Sequence, residues 1–352
     1  MSLASLIATG TKVWLDGIEP DEIARNHAWG ITGATSNPTI ISKIIGRGHF
    51  DERISILIER GLTDEQVAWE LNDELVAMAE LKFLPVWEHT RGNDGYVSFE
   101  LDPLIDVATN LSHSERVRRY IELGRKWSAG HVNRMIKVPA TPAGIGALEA
   151  LAAAGVKINV TLIFTEQQYE LARDAIWRGT QRRNSDHYYF KSVYSIFVSR
   201  IDVYTENHVP DLSSTTQGMV GIVNAKRIWR KNQEFWRDKN LRLQQEIVFA
   251  STGVKNPYDP PDKYVQTFAG GDIITSPTAT NEAVYESPKV YNRRIDDMPP
   301  PSVIEEVDRK INTGQMESRL MAEGTKKFAE SQLSLIKLIA QKRASVFAGA
   351  PR

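Results

Sequence analysis

Short apolar runs alternate with longer stretches of helical spacing along almost the whole chain. No other feature constrains the fold as strongly. A strand-length run followed by a helix-length one is a βα unit, and repeated units build a parallel sheet. The runs predict strands at Val13–Asp16, Gly30–Ala34, Val97–Leu101, Arg134–Val138, Lys157–Ile163, Ser192–Val198, Ile247–Ala250 and Asp272–Thr275. Eight such strands close a (β/α)8 barrel, the TIM barrel. The expected fold class is therefore α/β, with 1–352 forming a single barrel domain and additional helices around it. An amphipathic stretch, Gly314–Phe347, reads as a C-terminal helical extension. Leu320, Phe328, Leu335, Leu338 and Ile339 share its apolar face, which packs on the barrel or reaches its top and helps close a site.

Helix starts are marked locally. Thr63–Gln66 and Thr165–Gln168 fit the capping box, and Asn37-Pro38 and Thr141-Pro142 fit an N-cap followed by proline. Gly155 closes the alanine-rich helix before it. On the long helix over Thr63–His89, Glu70, Asp73, Glu74 and Glu80 read as a solvated face.

Composition excludes several chemistries. The chain has 352 residues, 43 Lys and Arg against 44 Asp and Glu, and no cysteine. Nothing in that balance calls for nucleic acid or an anionic membrane. Thiolate catalysis, disulfides and cysteine-ligated zinc are excluded together. The seven histidines show no metal-ligand spacing, and no Gly-x-Gly-x-x-Gly or Walker loop is present. The brief apolar start Met1–Ala8 lacks a basic leader, and no apolar run has membrane-spanning length. A cytoplasmic protein, monomer or homodimer, is expected.

Within this frame one segment stands out. In Arg134-Met135-Ile136-Lys137-Val138-Pro139, alternation sends Ile136 and Val138 to one face and Lys137 to the other. Low dielectric disfavours a charged amine, and a neutral amine attacks carbonyls to form a Schiff base. An edge strand with its lysine in water would look the same from this segment alone. The other strand ends carry Asp16, Asn37, Glu100, Asn159 with Thr161, Ser195 with Phe197, Arg200, and Ser251 with Lys255. Each has a plain structural use: Asp16 can cap a turn, Asn37 a helix, Glu100 can pair Lys137, and Asn159 can tie a loop. A core has no need of a polar group at the same level on nearly every strand, because each is costly unless satisfied. In a barrel these ends form the face where chemistry occurs. An amine, two carboxylates, amides, hydroxyls and a guanidinium suit a hydroxylated, phosphorylated carbonyl compound.

These residues sit in blocks that resemble the transaldolase family, in its long bacterial form related to transaldolase/glucose-6-phosphate isomerase fusions. The blocks are Trp14-Leu15-Asp16, Gly33–Thr39, Met135–Thr141, Gly155–Phe164, Phe197–Arg200 and Ala250–Pro257, in order along nearly the whole chain. The resemblance implies a (β/α)8 barrel without metal or organic cofactor. It implies sugar phosphate substrates and transfer of a dihydroxyacetone unit from sedoheptulose 7-phosphate or fructose 6-phosphate to an aldose phosphate, a step of the pentose phosphate pathway. It assigns Lys137 as the Schiff-base lysine, Glu100 with Thr161 and a water as the proton shuttle, and Asp16 as the base for the C4 hydroxyl. Asn37, Asn159 and Ser195 would hold the three-carbon unit, and Arg200, Ser251 and Lys255 the phosphate. Phe197 stands where related fructose-6-phosphate aldolases carry tyrosine, which favours transfer over release. The alternatives are such a lyase, an enzyme of specialised sugar metabolism, or a barrel that only binds sugar phosphates. Lys12, Gly270–Pro277 and Thr180–Tyr189 depart from the family pattern.

Overall fold

A computed structural model describes residues 2–183 and 189–349; residues 184–188 of the divergent Thr180–Tyr189 segment lie outside them. Eight strands close a barrel in sequence order. They are β1 (Lys12–Asp16), β2 (Gly33–Thr35), β3 (Val97–Glu100), β4 (Arg134–Pro139), β5 (Ile158–Ile163), β6 (Ser192–Phe197), β7 (Glu246–Ala250) and β8 (Ile273–Ser276). Every neighbouring pair is parallel, including β1 with β8. The helices between them cover the outside, so the strands are buried on both faces and read as apolar runs.

Strand bounds shift by one residue at most ends, and by three at the start of β2. β2 starts at Gly33 rather than Gly30, because Gly30 adopts φ +97° and closes the helix Pro20–Ala28. Gly33 is required where it is: a Cβ there would lie 2.6 Å from the Trp14 indole nitrogen and 2.8 Å from the Tyr96 carbonyl oxygen. The capping box at Thr63 and Gln66 forms. Thr165 also caps its helix, but the Gln168 side chain reaches the Phe164 amide at 2.8 Å instead of closing a box.

Glu70 on the long helix Asp64–His89 is exposed as expected, but two of its other carboxylates are less solvated than the sequence suggested. Glu80 is buried and bonds Arg134 and His131, and Asp73 also pairs Arg134. Arg134 is buried at the start of β4 and needs these anions, since an uncompensated buried charge is costly.

Alternation layers the barrel interior. Lys12, Lys191 and Glu246 meet at the amino ends of the strands. Above them lies an apolar layer with Trp14, Met135, Val193, Val248 and Ile273. Above that, at the carboxyl ends, the inward positions turn polar again.

The C-terminal helix (Thr313–Gly349) crosses this upper end. Its Ser331 hydroxyl is 2.8 Å from Thr39, Glu317 accepts from Thr165, and Arg343 donates to the Leu62 carbonyl at 2.6 Å. Phe328 is buried among residues of the upper barrel. Among the described residues, no helix is long and apolar enough to cross a membrane.

Candidate active site

The upper polar layer is set by register. Glu100 on β3 lies beside Lys137 on β4, and Lys137 beside Asn159 on β5. Equivalent pleat positions on adjacent parallel strands face the same way, so all three project inward. Lys137 and Glu100 are each only 5 % exposed. The Lys137 ammonium donates to Glu100 Oε2 at 2.9 Å and to the Ser36 carbonyl at 3.2 Å. Burial pushes the Glu100 carboxyl above its ordinary range, with Lys137 opposing and Asp16 adding to the rise.

Lys137 opens into a cavity of about 200 Å³. Asp16, Asn37, Thr161, Ser195, Phe197, Arg200, Ser251 and Lys255 line it as well. Two residues expected at the site are not on its wall. Glu100 stands behind Lys137, against a small adjacent void. Asn159 lies behind Ser195, accepting from its hydroxyl at 2.7 Å and donating to Ser98 at 2.9 Å. Both act on the cavity through a neighbour.

The other residues are held as follows. Asp16 accepts from the Thr35 hydroxyl at 3.0 Å, across the β1–β2 register. Asn37 caps the helix Pro38–Gly46 through its side-chain oxygen, at 3.1 Å from the Ile40 amide, while still lining the cavity. Thr161 Oγ1 is buried without a hydrogen-bond partner among the described residues. Such a hydroxyl is free to meet a ligand or water. Phe197 packs edge-on against Phe164, with ring centres 5.7 Å apart.

Backbone strain flanks the site. Leu162 (φ +58°) and Ser251 (φ +55°) are non-glycine residues in the left-handed region. Each costs about 1–2 kcal/mol, a penalty that clusters at functional sites. Leu162 sits where the β5–β6 register shifts between Val160 and Ile163, directly after Thr161. Ser251 follows β7, and its hydroxyl is 2.9 Å from Ser199.

Arg200 lies in the first turn of the helix Ser199–His208. Its guanidinium is 5.2 Å from the Phe197 ring centre and 5.8 Å from that of Phe328. Burial pulls it below its ordinary value, against Glu100, Glu323 and Asp16. Burial also pulls the Lys255 ammonium down, helped by the cations of Lys327 and Arg200 and opposed by Asp16.

Sequence reasoning missed Thr275 and Lys327 on the cavity wall. Thr275 shares the pleat face of Trp14 through the β1–β8 register and could have been found from it. Lys327 comes from a helix far along the chain, and only its neighbour Phe328 was marked by amphipathic spacing. Among the described residues, no three His, Asp or Glu side chains are grouped to hold a metal ion.

Residues 13–339 match the family described as Transaldolase/Fructose-6-phosphate aldolase. A Mycobacterium tuberculosis protein named "Transaldolase" is 32 % identical over 308 residues, covering 80 % of each chain. Proteins of that name from Mycobacterium marinum and Mycobacterium leprae are 31 % and 32 % identical over 307 and 306 residues, again covering 80 % of each chain. A barrel with a buried lysine at its carboxyl end, matched over this length, belongs to the transaldolase/fructose-6-phosphate aldolase family.

Proposed function

We propose that the chain is a transaldolase, moving a dihydroxyacetone unit between sugar phosphates through a Schiff base on Lys137. One observation carries the reading: a buried lysine, 2.9 Å from a buried carboxylate, opens into a polar cavity with cations at its mouth.

The steps follow from the chemistry of these groups. Glu100 accepts the proton that Lys137 must lose before attack. The freed amine adds to the C2 carbonyl of the ketose phosphate. Loss of water from the carbinolamine gives an iminium, with Glu100 and the unpartnered Thr161 hydroxyl handling protons through a water. Asp16 takes the C4 hydroxyl proton, and the C3–C4 bond breaks. Its electron pair flows into the iminium, leaving an enamine on Lys137 and releasing an aldose phosphate. A second aldose phosphate is attacked by the enamine, and the sequence runs in reverse.

Transfer requires that the enamine outlive the departure of the first aldehyde, and therefore that water be kept from productive approach. Phe197 supports this, since its ring offers no hydroxyl to orient a water. Asn37 and Ser195, with Asn159 bonded behind Ser195, would orient the three-carbon unit, and Arg200, Ser251 and Lys255 would receive the phosphate.

The test is acceptor dependence. Fructose 6-phosphate with erythrose 4-phosphate should yield glyceraldehyde 3-phosphate and sedoheptulose 7-phosphate in equal amounts. Without the acceptor, formation of glyceraldehyde 3-phosphate should stop after a first turnover. Equal rates with and without acceptor would assign a lyase instead.

A further inference from the structure

The cavity mouth holds one cation that this reading leaves unused. Lys327 reaches it from the C-terminal helix, beside Lys255 and Arg200. Its neighbours on that helix are committed elsewhere, Arg319 to Glu323 and Lys326 to Glu330. Arg200, Lys255 and Lys327 make no ion pair among the described residues. Like charges gathered at a partly buried mouth repel one another unless an anion completes the set.

The helix is built to approach this point. Gly324, one turn before Lys327, lies so close to the barrel that an added Cβ would be 3.1 Å from Leu162 Cδ2 and 3.4 Å from Arg200 Nη1. Phe328, next to Lys327, has its ring centre 5.8 Å from the Lys137 ammonium and 5.8 Å from the Arg200 guanidinium. Phe197 and Phe328 therefore hold Arg200 through ring contacts, without consuming its N–H donors. Thr39 and Ser331, joined at 2.8 Å, fix the helix on the far side.

We propose that Lys327 is a specificity-determining residue that reads the phosphate of the sugar substrate, completing with Arg200 and Lys255 a three-cation subsite. This deepens the transaldolase reading and rests on it. The ligand group is a phosphate monoester dianion. A sugar without it leaves the cations uncompensated and is rejected for that reason.

The experiment compares wild type, Lys327→Gln and Lys327→Arg. Steady-state kinetics use fructose 6-phosphate and, separately, fructose as a phosphate-free donor that is cleaved at the same C3–C4 bond; calorimetry measures binding of inorganic phosphate. Lys327→Gln should raise KM for fructose 6-phosphate about tenfold, the loss expected for one charge-assisted hydrogen bond, with kcat little changed. The preference for fructose 6-phosphate over fructose in kcat/KM should fall by the same factor. Phosphate affinity should weaken in parallel, and Lys327→Arg should restore both. Unaltered KM and phosphate affinity would overturn the proposal, as would an equal loss with both donors. If wild type turns over neither donor, the transaldolase reading fails by itself, and the phosphate titration still decides the role of Lys327.

Discussion

The barrel interior is polar at both ends, and the two ends use the same residue types differently. At the amino ends of the strands, Lys12 and Lys191 share Glu246. Lys12 donates to Glu246 at 2.8 and 2.9 Å, to the Asn93 carbonyl at 3.1 Å and to Gln244 at 3.2 Å. Lys191, 0 % exposed, donates to Glu246 and to the same Asn93 carbonyl. At the carboxyl ends one lysine faces one glutamate, with a cavity beside them. The glutamates shift in opposite directions. Burial pushes Glu246 up, but Lys191 and Lys12 together outweigh it and hold the carboxyl below its ordinary value. At Glu100, burial and the Asp16 carboxylate together outweigh Lys137 and Arg200, and the carboxyl lies above its ordinary value. One carboxylate is a fixed anion and the other is poised to take a proton. A buried lysine is therefore not the mark of a site; unspent bonding capacity next to open space is.

The sharpest way to break this comparison is to remove one lysine from each end. Lys137→Met should cut turnover on the order of 10⁴-fold or more, because the covalent route is lost. Lys191→Met should leave the folded enzyme active while lowering its unfolding free energy by about 3 kcal/mol in urea titration, the penalty for breaking a buried pair. Activity that survives the first change, or that vanishes from a folded protein in the second, would erase the distinction.

A pH–rate profile separates the two glutamates. As pH falls through the raised pKa of Glu100, its carboxylate is protonated and no longer accepts from Lys137. The acid limb of kcat should therefore lie above the ordinary glutamate value of ~4.3. Glu100→Gln should remove that limb and lower kcat about 10²–10³-fold, whereas Glu246→Gln should leave the limb in place.

Stability sharpens the same contrast. Glu246 has a depressed folded pKa, so its contribution is present above ~4.3 and is lost as pH falls through the folded value. Thermal unfolding of Glu246→Gln should show a lower melting temperature at pH 7 and a flatter decline in acid than wild type.

The smallest expected effect is at the upper rim. Phe197→Tyr adds a hydroxyl able to orient water beside the enamine. The rate at which free dihydroxyacetone is released without acceptor should rise by about a few-fold, measured by product analysis. An unchanged rate would remove Phe197 from the account of transfer.

The eight strands and most of the cavity wall were legible because barrel strands alternate and their polar inward positions fall at one level. Lys137, Thr161 and Ser195 could be assigned a face from their immediate neighbours. What escaped depends on distant partners. Glu80 read as solvated because Arg134, 54 positions along the chain, is what buries it. The left-handed turn at Leu162 has no local signal, since leucine does not favour that conformation. Asn37 and Glu100 each perform the plain structural task open to them, capping a helix and pairing a lysine, while standing at or behind the cavity. Lys327 was invisible because amphipathic spacing marks the apolar side of a helix, and this lysine sits beside that face.

The central claim is that Lys137, and no other buried lysine, is where substrate carbon becomes attached. Borohydride reduction in the presence of fructose 6-phosphate, followed by proteolysis and mass spectrometry, tests it directly. The account predicts one stable three-carbon adduct, on the peptide containing Lys137, and none in Lys137→Met. An adduct on Lys191 or Lys12, or wild-type turnover with no adduct, would contradict it.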